Sequence, residues 1–322
     1  MMHSVIEAYC DDLNEFDWFT SLDSRLSRAV FHRIGSRGTN PGPIENLIQY
    51  DRPDVILVVD GSPVLTLEKT SEVPTGHNVG QRMARLVRSV ECGVPVIKFF
   101  PFDALKHGAH ANVCNLNARL LAAFDKMWTI HGVPTLAVNW PADSHGELIS
   151  DVSAETALRT IISDFIRSGF DSACRQFALA RNQQRAEFKR RCEIYESYGE
   201  PPPSLRILKT ADALSELGFS SSSTAGRALS RFKETVIYKI EMSEAKCRRE
   251  DPYTGTQFIY DYLYCRVGPD TKDKNRGLVL LFPGIRKAIW LDRNPNDPTR
   301  KSSNWYLTAN VLAFRDGSLK LR

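Results

Sequence analysis

The sequence predicts an α/β protein: a mixed central sheet flanked by helices, then a helical linker and a β-rich C-terminal module. Three observations carry this. Residues 94–102 (VPVIKFFPF) and 133–140 (VPTLAVNW) are apolar runs that each follow a helical stretch closed by glycine, at Gly93 and Gly132. Helix-then-strand crossovers of this kind lay parallel strands into one sheet. Residues 50–70 hold two apolar runs, DVILVV and VLTLEKT, around Asp60-Gly61-Ser62-Pro63, which is hairpin turn chemistry and adds an antiparallel pair. The last ninety residues alternate short apolar runs with polar loops.

The elements follow in order. Residues 4–34 read as helical, with Ile6, Tyr9, Leu13 and Phe16 at helical spacing and a second segment carrying Leu26, Val30 and Phe31. Residues 35–43 (GSRGTNPGP) are a loop. After the hairpin, 71–76 is another loop, and 78–92 is a helix with Val79, Met83, Leu86, Val87 and Val90 on one side. A long helix is expected over 111–131 and mostly helical structure over 156–198, with Arg181, Arg185, Lys189, Arg190 and Arg191 in its later part. Pro201, Pro202 and Pro203 mark a boundary. Two short helices, 210–218 and the run STAGRALSRFKE, form a candidate helix-turn-helix with Arg227, Arg231 and Lys233 on the second. Paired short helices are also common without any such role. Strands are then expected in TVIYKIEM, FIYDYLYCRV, GLVLLFPG, KAIWLD and WYLTANVLAF.

At 322 residues the chain suits two domains, with boundaries expected at 1–150, 151–203 for the basic helical linker, and 204–322 for an α+β recognition module. A content of 42% hydrophobic and 25% charged residues belongs to an ordinary globular chain, and no apolar run approaches a membrane span. The N-terminal stretch is acidic and lacks the apolar core of a signal peptide. Seven scattered cysteines without metal-ligand spacing suit reduced thiols, so a cytoplasmic location is expected. Residues 1–150 hold 13 Lys+Arg against 17 Asp+Glu, and residues 151–322 hold 29 against 21. An acidic half followed by a basic half suits a polyanion held by the second.

The chemistry centres on the hairpin. Folded symmetrically about Gly61, it sets Asp54 opposite Glu68 on one face, with β-carbons roughly 5 Å apart. Carboxylates that close repel unless a positive group stands between them. Two hard oxygen ligands suit a divalent cation, and magnesium fits such a pair. Asp60 lies at the far, turn end and is excluded.

Pro53-Asp54, a hairpin, Glu68-Lys69-Thr70, then helix and strand resembles the PD-(D/E)xK nuclease core shared by many restriction endonucleases, over roughly residues 1–140. The resemblance implies a restriction-endonuclease-like sheet, with Asp54 and Glu68 as magnesium ligands and a lysine two places after the Glu assisting the attacking water. Thr70 stands there instead, and the lysine is one place earlier. Strand alternation turns Lys69 to the opposite face from Glu68. Three substitutes remain open: a bulge that re-aims Lys69, Thr70 positioning the water, or Lys98 on the next strand.

The following loop and helix start are polar, with Glu72, His77, Asn78, Gln81, Arg82 and Arg85. A helix N-terminus suits a phosphate, and Gln81 and Arg82 are the candidates to steady the scissile one. Each residue alone reads equally well as a solvated helix start. Glu7 and Glu15 are candidates for a further carboxylate. The expected function is a magnesium-dependent DNA endonuclease of restriction or phage-defence (antiviral) type. Asp54, Glu68, Lys69, Thr70 and Lys98 are its site, the basic second half grips DNA, and a homodimer makes double-strand cuts. The alternative is a non-catalytic nucleic-acid-binding protein on a degenerate nuclease fold. Trp290, Trp305 and Tyr306 suit the core better than base stacking.

Overall fold

The computed structural model describes residues 4–71, 76–107, 112–194, 205–245, 276–292 and 305–321, together with Cys247, Phe258 and Asp261. The chain divides into two compact units, Met1–Thr75 with Arg85–Tyr198, and Gly76–Ala84 with Gly199–Arg322. The expected class holds. A six-stranded mixed sheet flanked by helices forms the first unit, and a five-stranded sheet the second.

The first unit contains β1 (Ile6–Cys10), α1 (Leu13–Ser21), β2 (Val30–Arg33), α2 (Gly42–Leu47), β3 (Val55–Val59) and β4 (Ser62–Lys69). Helix α3 (Gly76–Glu91) follows, and its turns from Arg85 onward belong here. Then come β5 (Val96–Phe100), β6 (Asp103–Lys106), β7 (Asn112–Asn115), α4 (Ala118–His131), β8 (Thr135–Asn139), α5 (Thr156–Arg167) and α6 (Arg175–Ile194). The sheet order is β2-β1-β3-β4-β5-β8, with β6 and β7 forming a separate pair. β3 runs antiparallel to β1 and β4, while β4, β5 and β8 are parallel neighbours.

Both faces of the sheet are covered, which is why its central strands read as continuous apolar runs. On one face Leu57, Leu65, Leu67, Ile97 and Phe99 meet α1, α5 and α6 through Phe19, Leu158, Phe165 and Phe177. Helices α5 and α6, within the segment read as a linker, thus contribute to this core. On the other face Tyr9, Ile56 and Val58 pack on α2 through Ile44 and Leu47. The last turns of α3 join α2 and the turn after it: Arg88 Nε donates to the Asn46 carbonyl and Tyr50 Oη to Glu91, both at 2.7 Å.

Two of the expected helices begin later than their periodicity suggests. Residues 6–10 are a strand between β2 and β3, and β2 itself lies within the expected helix. Five residues, IEAYC, are too few for their period to decide, and burial on both sides of the sheet decides for strand. Asp12 then starts α1, its carboxylate accepting the Glu15 N–H at 3.0 Å. Likewise α4 starts at Ala118, where the Asn117 side chain accepts from the Arg119 N–H at 2.9 Å. It stops at Gly132, whose φ of 70° is the left-handed C-cap that glycine adopts freely.

The second unit contains β9 (Leu205–Lys209), α7 (Thr210–Glu216), α8 (Thr224–Leu229), β10 (Glu234–Lys239), β11 (Gly277–Phe282), α9 (Lys287–Leu291), β12 (Val311–Phe314) and β13 (Leu319–Leu321). Its sheet order is β13-β12-β11-β10-β9. The expected strand KAIWLD is instead α9, because one helical turn is enough to bury Trp290 against Phe282 and Trp305. Of FIYDYLYCRV only Phe258 and Asp261 are described, and both lie in helical backbone. The three prolines at 201–203 fall outside the described residues. Trp290 and Trp305 are core, as expected, and Tyr306 packs against it.

Strand β8 closes one end of the first sheet, so its outward N–H groups need partners. Gln184 of α6, almost fully buried, supplies one: its Oε1 accepts the Ala137 N–H at 2.8 Å while its Nε2 donates to the Leu121 carbonyl at 3.2 Å. Gln184→Met keeps the volume and leaves that N–H unsatisfied. A loss of about 2 kcal/mol of unfolding free energy is expected, read by denaturant titration.

Candidate active site

The hairpin sets the site. Its turn is Asp60-Gly61, both at positive φ (49° and 78°), the geometry of a two-residue hairpin whose twist suits the flanking strands. From there Val59 pairs with Ser62 and Val58 with Pro63. A bulge at Val64 shifts the register, and Leu57 then pairs with Leu65, Ile56 with Thr66 and Val55 with Leu67. The shift restores the symmetry about Gly61 that the sequence suggests. Asp54 stands one place beyond the last pair, at the position across from Glu68, and its Oδ2 accepts the backbone N–H of Lys69 at 2.6 Å. The expected carboxylate pair is therefore formed, with Asp54 almost buried and Glu68 fully buried.

A cation does stand at the pair, and it is a side chain. Arg85 of α3 points Nη1 at Glu68 Oε2, at 2.8 Å, and at Asp54 Oδ1, at 3.5 Å. Its other edge holds Asp51, with Nε at 3.0 Å and Nη2 at 2.5 Å from the same oxygen, Oδ2. One guanidinium thus meets three carboxylates. Burial pushes the Asp54 carboxyl up to about 8, and the Glu68 charge adds to the rise, against opposing pulls from Arg85 and the Lys69 N–H. Burial works against the Arg85 charge, but Glu68 and Asp51 outweigh it and raise its pKa.

The two lysines divide between the faces. The bulge lies near the turn and leaves the alternation at Glu68 and Lys69 intact. Lys69 accordingly points to the other face, its Nζ 4.0 Å from the centre of the Trp18 ring and 5.5 Å from that of Trp140. Desolvation there lowers its pKa, against the pull of Glu155, Glu15 and Asp54. Lys98 is the register partner of Glu68 across β4 and β5, so it shares the carboxylate face, and its side chain is almost fully buried. Thr70 follows β4 and is buried. Glu15, in the first turn of α1, is half-buried, and its pKa is raised by burial and by neighbouring carboxylates that include Glu68. Glu7 pairs with His32 at 2.9 Å.

Gln81 falls in the first half of α3, where its side chain lies outside the described residues, as does that of His77. Arg82 is half-buried on the same helix. In the second unit α8 ends at Leu229, so only Arg227 lies on it; Arg231 and Lys233 are in the loop to β10. All three are exposed, with Arg227 Nη1 donating to the Ser222 carbonyl at 2.8 Å and Arg231 4.8 Å from the Phe232 ring. Arg85 and Asp51 are the site residues that sequence reasoning did not select. The available signal was an arginine one helical turn after Gln81 and Arg82, and an aspartate three residues before Asp54.

Among the described residues no group of three or more His, Cys, Asp or Glu side chains is arranged to hold a metal ion. No helix among them is long and apolar enough to cross a membrane. Comparison with known protein families, curated proteins and solved structures finds no match. The site is therefore read from its own chemistry. Asp54 and Glu68, two hard oxygen donors on one face, are the residues that could hold a cation in place of the Arg85 guanidinium.

The raised Asp54 carboxyl has a thermodynamic consequence. Between about pH 4 and about 8 the folded chain keeps a proton that the unfolded chain has released. Stability from this group is thus fullest at the acid end and falls as pH rises, by at most about 1.4 kcal/mol per pH unit. Denaturant titrations across that window are expected to show a steeper decline for the wild type than for Asp54→Asn. Parallel profiles would contradict the assignment.

Proposed function

We propose that the chain is a magnesium-dependent DNA endonuclease of restriction or phage-defence type, hydrolysing phosphodiester bonds in the cytoplasm. The observation that carries the reading is the pairing of Asp54 with Glu68 at the base of the hairpin, buried, on one face and around a cationic group. Antiparallel β3 and β4 followed by α3 and a parallel β5 supports it, as this is the order of elements in the nuclease resemblance.

In this reading Asp54 and Glu68 hold the ion through carboxylate oxygens. When bound, magnesium supplies a water of lowered pKa and stabilises the charge that builds on the phosphate oxygens. Lys98 takes the part of the lysine missing two places after Glu68, because it is the lysine on the carboxylate face. Thr70 hydrogen-bonds the water, and Lys69 steadies the neighbouring aromatic rings from the opposite face. Arg82 remains a phosphate-binding candidate from the sequence. Arg227, Arg231 and Lys233, exposed in a unit with excess basic charge, contact backbone phosphates of DNA. A homodimer supplies the second site that a double-strand cut requires.

Incubation with plasmid and phage DNA, in magnesium and in EDTA, tests the reading. Cleavage in magnesium alone is expected, with Asp54→Ala and Glu68→Ala each lowering the rate at least about a hundredfold. Binding without cleavage on every substrate favours the rival, a non-catalytic nucleic-acid-binding protein whose carboxylates anchor Arg85. Among active proteins, Lys98→Met is expected to cut the rate by about 10²–10⁴-fold, as loss of a water-orienting group does. Lys69→Met should leave it within a few-fold.

A further inference from the structure

Arg85 uses its two edges separately. Nε and Nη2 are spent on one oxygen of Asp51, while Nη1 alone reaches Glu68 and Asp54. The side chain is almost buried, as are both carboxylates. A buried Glu68 needs positive charge held against it, and Arg85 supplies part of that charge beside Lys98, the register partner of Glu68. A divalent ion at the same pair would compensate it as well, but Nη1 and the ion cannot occupy that position together. Two positive groups so close repel, and the oxygens that Nη1 holds are those an ion needs.

We propose that Arg85 is a tethered counter-cation that occupies the carboxylate pair until a divalent metal ion displaces its Nη1, with Asp51 retaining the rest of the guanidinium beside the site. This rests on the reading of Asp54 and Glu68 as metal ligands. It adds a property that the pair alone lacks. Ion affinity is set by competition with a fixed internal cation, because the ion-competent state is only a fraction of the metal-free protein. The fold keeps its buried carboxylates satisfied in the absence of metal, and displacement places an arginine, still held by Asp51, where the negative charge of a phosphodiester would lie. The Asp51 contacts need not break, since they use different nitrogens.

The experiment uses the full chain, magnesium alone and no DNA. Wild type, Arg85→Gln and Arg85→Lys are compared by calorimetric titration and by thermal melts with increasing magnesium. Removing the competitor is expected to tighten magnesium binding at least tenfold in Arg85→Gln. The same variant should melt below the wild type without ion and gain more than the wild type as ion is added. Arg85→Lys keeps the charge on a shorter stem without the planar fork, and is expected to fold like the wild type with intermediate affinity. The double variant Arg85→Gln/Glu68→Gln should lose the gain. If Arg85→Lys and Arg85→Gln bind magnesium no tighter than a wild type that does bind it, the displacement is overturned and the nuclease reading stands. If neither wild type nor variants bind magnesium, both are overturned.

Discussion

A fully buried glutamate inside a central β-strand is the constraint on which the first unit turns. Glu68 lies on β4, a strand hydrogen-bonded on both sides by β3 and β5, and its side chain has no exposed surface. A carboxylate in that position persists only if charged partners are held against it. Arg85 is one, and its reach ties α3 to the sheet at one rotation and one height. Lys98 is held beside Glu68 by the strand register. The glutamate thus fixes the seating of a helix as well as the character of the site.

The second consequence is the division of labour between faces. Strand alternation sets Glu68 and Lys69 back to back. On the Glu68 side lie Asp54, Arg85 and Lys98. On the Lys69 side Phe99 stacks between Trp18 and Trp140, and Trp18 Nε1 donates to Glu155 at 2.5 Å. The lysine ammonium rests on those rings, a cation–π contact that suits a half-desolvated charge. A single residue of register shift would exchange these environments. The bulge at Val64 matters for that reason: it lies between the turn and the site, and sets which residues face which side.

Much of this was legible along the chain. Gly93 and Gly132 marked the ends of α3 and α4, and both take the positive φ that glycine tolerates. The apolar runs of β3, β4, β5 and β8 were evident because strands covered on both faces carry few polar interruptions. The Asp54–Glu68 pairing followed from symmetry about Gly61. Residues 6–10 were misread as helix because Ile6 and Tyr9, three apart, fit one helical face, whereas the strand buries them on opposite faces of the sheet, and only the neighbouring strands choose. KAIWLD misled similarly, since a run of four apolar residues is too short to carry a period.

The sequence by itself determined the class of the fold, the hairpin, and the two carboxylates that its register brings together, because these depend on local alternation and turn chemistry. It also determined that Lys69 faces away from Glu68, since strand geometry has a period of two. Only the tertiary structure decided what stands at the carboxylates. Arg85 is seventeen residues beyond Glu68 and was one polar residue among several in the loop and helix that follow β4. Its partnership with Glu68, Asp54 and Asp51 depends on how that helix packs, and helix packing is set by the whole buried face.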